Sequence, residues 1–402
     1  MAKSIYFSRI LKKLNPTVKD KLIAFTSGII LYFIALYFYS HNNYYQSFIN
    51  RNDFDLSKVP NNFVIFFDNF FALVGRNTEA ILCRLFYGYL ILGFILLFRK
   101  NKINLNESRP YVFLKSIFKF LKNNAKFILG KNVLQFKNNF SDYEKINARY
   151  FLLKLFFLPI MINFFFDNFS GIFIHLDDYS HSNNNLDLLY KNGYLLILSS
   201  LLLIDTIYFV FGYAFEFQKY SKIRSVEPTI LGWVVALACY PPFNDLTSKF
   251  FGWGSADYSY FGSTSTTLFF LLINILLFVI YVYSTIALGL KSSNLTNRGI
   301  VSRGPYKYVR HPAYISKNLS WIIFAVPLMN FSWSAYEMKI FFFGPIIHFH
   351  FISLNWAPLI AVITWAIIYF LRALTEERHL LKDPDYQKYC KKVPYRFIPK
   401  VY

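Results

Sequence analysis

Two polar segments near the C-terminal end carry the residue types best suited to chemistry. One is NLTNRGIVSRGPYKYVRHPAYISKNLSW, residues 294–321; the other is RALTEERHLLKDPDYQKYCKKVPYRFIPKVY, residues 372–402. In the first, Gly299, Gly304 and Pro305 mark tight turns. Pro312 suits the first turn of a helix, where its missing N–H is no loss. Arg310 and His311 then stand at that helix's N-terminus. Free backbone N–H groups and the helix dipole favour an anion there. Arg310 adds a forked donor for carboxylate or phosphate. Tyr306, Tyr308 and Tyr314 offer flat faces to a ring and attraction to a cation. In the second segment, Glu376 and Glu377 can hold ribose hydroxyls or an amino group. Alone, such a pair beside Arg378 reads more simply as exposed interfacial charge. Together the two segments suit a ligand with a carboxylate, an aromatic base and a positive centre.

The elements that must position these residues follow from composition. Of the 402 residues 55% are hydrophobic, 21% aromatic and only 16% charged, against about 25% charged in soluble domains. Too few polar residues remain to cover a soluble surface, and the aromatic content excludes disorder. The expected fold is an all-α, polytopic membrane bundle. A helix needs about 20 apolar residues to cross the hydrocarbon core. Eight such runs lie near 22–40, 80–98, 151–169, 194–214, 229–243, 265–289, 313–330 and 354–373. The fifth is short and ends at Pro241-Pro242. Two further stretches, 62–74 and 338–352, are shorter and read as interfacial or re-entrant pieces. The last two runs, bracketed by the two polar segments, form a C-terminal region over 291–402. Residues 1–290 form an N-terminal transmembrane region with a basic segment near 99–150.

Orientation follows from Lys and Arg in the loops. With the N-terminus in the cytoplasm, segments 1–21, 99–154, 216–228, 291–317 and 372–402 hold most of the basic residues. Only Arg51, Lys58, Arg76, Arg84, Lys191, Lys249 and Lys339 fall on the other face. Both termini are therefore expected to be cytoplasmic. The net charge of +21 is interspersed with apolar runs, which points to anionic lipid headgroups rather than nucleic acid. Lys115, Lys119, Lys122 and Lys126 share one helical face, with Phe113, Ile117, Phe120 and Leu121 largely opposite. That is an amphipathic helix suited to an anionic leaflet. Cys83, Cys239 and Cys390 are far apart and carry neither a disulfide nor a zinc pattern.

GPYKYVRHPAYIS, followed after two apolar runs by EERHL and then YQKYCKKVPYRFIP, resembles the isoprenylcysteine carboxyl methyltransferase family, within a wider group that includes phospholipid methyltransferases. The resemblance covers about the last 110 residues. It implies an integral-membrane enzyme that uses S-adenosylmethionine, held on the cytoplasmic side by Tyr306, Arg310, His311, Pro312, Tyr314, Glu376 and Glu377, with Arg310 and Glu377 as the catalytic pair. It implies a lipophilic or prenylated acceptor. This chain has Ser316 where the family pattern usually has Gly, which alters the pocket shape by one small side chain.

Two other readings compete. The ending YCKKVPYRFIPKVY also resembles membrane sterol reductases, which use NADPH; Arg310 would then meet a phosphate. A transporter or membrane scaffold is the non-enzymatic alternative, with Asp205 inside the fourth run as its best feature. A carboxylate there is expected to be paired or to line a cavity rather than to face lipid. In the segment 212–244, Glu216, Arg224 and Glu227 read either as partners of the cofactor loop or as charges on a structural loop. His348 and His350 lack further ligands for a metal, and His379 reads as a helix cap.

Overall fold

The computed structural model describes residues 16–49, 66, 68–70, 73, 77–98, 104–128, 140–182, 185–217, 219–244, 257–325, 327, 330–341, 346–355 and 357–401. The chain is predominantly helical. Its helices are α1 (Pro16–His41), α2 (Asn43–Ile49), α3 (Thr78–Phe98), α4 (Arg109–Ile128), α5 (Asp142–Ser180), α6 (Leu186–Ala214), α7 (Ile230–Leu237), α8 (Thr264–Leu288), α9 (Pro312–Ala325), α10 (Ala357–Leu380) and α11 (Pro384–Lys392). Five of them, α1, α3, α5, α6 and α8, are long and apolar enough to cross a membrane. Helix α3 leaves Tyr87, Ile91, Leu92, Phe94, Ile95 and Phe98 exposed. Such a wide apolar surface is covered by lipid, not water. The protein is a membrane protein.

Three of the eight expected spans are not among these five, and each has a physical reason. Helix α7 has only 8 residues; it tightens into turns at Cys239 and Tyr240, and Pro241 and Pro242 beyond them cannot donate to continue it. Helix α9 has 14 residues, about 21 Å at 1.5 Å per residue. It stops short of Pro327, which disfavours helical backbone before it. Helix α10 has 24 residues, but its last turns hold Arg372, Glu376, Glu377, Arg378 and His379, so its apolar part is short.

The helical expectation holds for most of the chain, with a small strand component beside it. Strands β3 (Asn330–Phe341) and β4 (Ile346–Asn355) pair antiparallel, from Trp333 opposite Leu354 to Phe341 opposite Ile346. They take in Asn330, the last residue of the seventh run, and cover most of the stretch 338–352 that reads as interfacial or re-entrant. Their sequences, FSWSAYEMKIF and IIHFHFISLN, are rich in aromatic and β-branched residues with a period near two, which suits strands. A shorter pair, β1 (Ser225–Val226) with β2 (Thr296–Asn297), is also antiparallel. The stretch 62–74 lies largely outside the described residues.

Two compact units divide the chain, one of described residues up to Asn163 and one from Phe164 onward. In the first, α1 packs against α2, α3 and α4. Tyr32 donates to the Leu82 carbonyl at 2.8 Å and Tyr39 to that of Leu155 at 2.9 Å. Helix α4 forms over the expected amphipathic stretch. It buries Val112, Ser116 and Asn124 and leaves Phe118 and Leu121 exposed beside its lysines. In the second unit, α8 packs against α6 and α9, α9 against α10, and α10 against α7. Tyr194, Leu198, Leu271, Phe278 and Phe324 form its apolar core. Helix α8 starts on Ser263, whose hydroxyl accepts from the Thr266 N–H, and ends at Gly289 with φ +58°. The polar 291–311 segment follows.

Candidate functional site

The site lies wholly in the second unit and is built from the turn before α9, the end of α10 and the C-terminal tail. Gly304 takes φ +60°, a backbone that only glycine adopts freely, and a 3-10 turn over Gly304–Lys307 follows. Pro312 opens α9 at its first position, as expected. The tail then pairs with the residues just before the helix. The Arg310 N–H donates to the Tyr395 carbonyl and the His311 N–H to that of Arg396, both at 2.9 Å. Tyr389 donates to the Tyr306 carbonyl at 2.8 Å. It packs with Tyr386, Val393, Ile300 and Tyr306.

Glu377 is the hub of this assembly. Its Oε1 lies 3.1 Å from Arg310 Nε and 3.1 Å from His311 Nε2, and its Oε2 accepts from Arg396 Nε at 2.8 Å. The Arg310 contact is an ion pair by distance but is not aligned as a hydrogen bond. Burial alone would raise the Glu377 carboxyl. The hydrogen bonds and charges of His311, Arg396 and Arg310 outweigh it and hold the carboxyl below its usual range. The His311 ring lies between Tyr314, stacked at 5.2 Å and 11°, and Phe397 at 5.7 Å.

A cavity that opens to the outside lies beside this hub. Tyr306, Arg310, His311, Tyr314 and Glu376 line it; Pro312 and Glu377 do not. Glu376 Oε2 accepts from the Tyr314 hydroxyl at 2.7 Å. The two neighbouring glutamates therefore do different jobs: Glu376 faces the cavity and Glu377 holds its wall. Tyr308 is exposed and stands outside the cavity. Ser316 is buried and turns its hydroxyl to the Pro312 carbonyl of its own helix at 2.9 Å.

Residues outside the two motifs complete the wall. Arg372 is buried among Tyr314, Tyr369 and Tyr240, with its guanidinium carbon 5.1 to 5.9 Å from their ring centres, and it donates to Asn294 Oδ1. Lys317 lies over Tyr281 and Trp321. Among the described residues no carboxylate comes within ion-pair distance of either cation. Arg372 had a readable signal, since it precedes Glu376 by four residues and so shares its helix face. Lys317 had none beyond a charge in an apolar helix. Asp205 is buried and does not face lipid: Tyr281 donates to it at 3.1 Å and Thr285 donates to its other oxygen.

The 212–244 segment reaches the same region. Arg224 pairs with Asp383 at 2.8 Å and with Asp385 at 3.0 Å, and Asn297 donates to Asp383 at 2.8 Å. Burial would raise the Asp383 carboxyl, but these donors and the Asp385 N–H prevail and lower it. Glu227 lines the cavity and pairs with Arg378 at 3.1 Å. Glu216 instead accepts locally from the Ile223 N–H at 3.0 Å. His379 bonds to the Ser225 hydroxyl at 2.8 Å and lines the cavity as well. Among the described residues no group of His, Cys, Asp and Glu is arranged to hold a metal. No protein-family model, curated protein or solved structure matches this chain.

Proposed function

We propose that the protein is an integral-membrane methyltransferase that uses S-adenosylmethionine and acts on a lipophilic acceptor, an isoprenylcysteine carboxylate or another lipid, at the cytoplasmic leaflet. The observation that carries this reading is the joining of two distant motifs by Glu377, which leaves Arg310, Tyr314 and Glu376 on the wall of one cavity. The cavity offers cations, carboxylates and several aromatic faces together, which matches a ligand with a carboxylate, an adenine and a sulfonium.

The cofactor supplies a methyl group on a sulfonium, a leaving group that needs no protonation. The chain's residues are then left to bind, to orient and to exclude water, and alignment alone contributes several kcal/mol. Arg310 and Arg372 suit the carboxylate, and Tyr306 and Tyr314 the ring. Glu376 suits a hydroxyl or amino group, and Glu377 positions Arg310 and His311. The distribution of Lys and Arg supports a cytoplasmic site and cytoplasmic termini.

One feature favours the reductase alternative. Lys317 and Arg372 are cavity cations with no carboxylate at ion-pair distance among the described residues, which suits the phosphates of NADPH. Calorimetry on the detergent-purified protein separates the readings. Saturable binding of S-adenosylmethionine with none of NADPH is expected; the reverse result replaces the methyltransferase by a reductase, and binding of neither leaves a transporter or scaffold. Incubation with radiolabelled methyl donor and a total membrane lipid extract, followed by chromatography, then identifies the acceptor.

A further inference from the structure

Glu227 sits in the cavity wall with one carboxylate oxygen engaged and the other spare. Its N–H donates to the Leu295 carbonyl at 2.8 Å, and Trp233 donates to its own carbonyl at 2.9 Å, so its backbone is fixed. Oε1 accepts from the Thr229 N–H at 3.0 Å, from the Thr229 hydroxyl at 2.5 Å and from Arg378 at 3.1 Å. Oε2 is buried and accepts no hydrogen bond, and the His379 Nδ1 atom stands 3.8 Å away. The residue is only 2% exposed. The side chain packs closely over Gly232, where a Cβ would stand 2.5 Å from Glu227 Cγ. A buried carboxylate oxygen without a donor is unusual in folded proteins and asks for a reason. The contacts on Oε1 already organise the turn that opens α7 at Thr229, so structure alone does not account for Oε2.

We propose that Glu227 Oε2 is the acceptor for a sugar hydroxyl of the nucleoside held in this cavity. The inference rests on the reading above that the ligand is adenosine-based. Charge decides between a hydroxyl and an ammonium as the donor. Oε1 already meets the Arg378 guanidinium, and the wall carries Arg310, Lys317 and Arg372 against Glu227 and Glu376. An ammonium drawn to Oε2 enters surroundings already rich in cations. A neutral hydroxyl needs only the lone pair that Oε2 offers.

Glu227→Gln tests this directly. Three donors converge on Oε1, so the amide keeps its oxygen there and turns its NH2 to the cavity. An acceptor becomes a donor while the anchor is retained. Affinities are measured by calorimetry on the full-length protein in detergent, for S-adenosylhomocysteine and its 2′-deoxy and 3′-deoxy analogues. The wild type is expected to prefer the ribose form to at least one deoxy analogue by roughly 10- to 100-fold, and the variant to lose that preference. Glu227→Asp, which draws the carboxylate back by one methylene, is expected to lose it too. A preference that survives in a folded variant, or that is missing from the wild type, overturns the role of Glu227 and leaves the cofactor reading standing. The wild-type comparison decides even where no variant folds. Failure of the wild type to bind any of these ligands or S-adenosylmethionine ends the cofactor reading and this inference with it.

Discussion

Glu377 is the residue whose loss should be felt most. It is 3% exposed, and its ion-pair partners Arg310, His311 and Arg396 have side-chain exposures of 11%, 5% and 27%. Glu377→Gln keeps the shape but removes the charge, leaving two guanidinium groups facing an amide. Removing one partner of a buried ion pair costs about 3–5 kcal/mol, against about 0–1 kcal/mol for an exposed pair. The near-complete enclosure of Glu377 places it in the first class. That loss is a large share of a total stability of about 5–15 kcal/mol. Arg396 is partly solvated, so Arg396→Ala should cost less, about 1–2 kcal/mol, and the double variant should show non-additivity because the two groups touch. The assay is denaturant unfolding in mixed micelles, with Glu107→Gln on an exposed turn as the reference. Limited trypsin digestion is the second readout. With the Glu377–Arg396 bond gone, the tail should be cut faster after Lys391 and Lys392. A Glu377→Gln variant no less stable than Glu107→Gln, with the tail equally protected, would refute the placement of Glu377 as the hub.

Other outcomes follow from the same geometry. Arg372→Met should leave stability unchanged or raised, since it removes a buried cation with no carboxylate at ion-pair distance among the described residues. It should also weaken binding of S-adenosylmethionine by about tenfold or more; a loss of stability above about 2 kcal/mol contradicts this. Gly212→Ala should destabilise by about 1–3 kcal/mol, because its Cβ would sit 1.9 Å from the Ser292 carbonyl oxygen. Gly88→Ala, with nothing within 4 Å of its Cβ, should be neutral or stabilising in the same denaturant-unfolding assay. Acid should unfold the second unit through Glu377 and Asp383. Both carboxyls are lowered in the folded state, so the stability they contribute is present above the usual carboxylate range, about 4, and is lost as pH falls through their folded values. Asp383→Asn should therefore flatten the fall in stability below about pH 4, and an unaltered acid limb counts against the Arg224–Asp383 contact.

Much of the architecture was legible along the chain because it depends on local composition. The long apolar runs at 22–40, 80–98, 151–169, 194–214 and 265–289 correspond to α1, α3, α5, α6 and α8. Pro312 opens a helix and Gly299 and Gly304 take positive φ, as their types require. The runs at 229–243, 313–330 and 354–373 give helices whose apolar part is short, and the stretch 338–352 misled because its hydrophobicity was read without period. FSWSAYEMKIF has strand alternation, and the stop before Pro327 was visible.

Residue types and their order determined that this is a helical membrane protein with a basic turn before α9 and an acidic pair near the end of α10. Tertiary structure alone decided what each of those residues does. Neighbouring side chains on a helix point about 100° apart, so Glu376 and Glu377 need not face the same space, and nothing along the chain says which one faces the cavity. The docking of the tail made Glu377 the anchor for Arg310, His311 and Arg396 and turned Glu376 to the open space. The pairing of β1 with β2 brought Glu227, far off in sequence, to the same wall. Long-range packing assigns these roles because a charge buried in an apolar setting stays only where partners from other segments meet it.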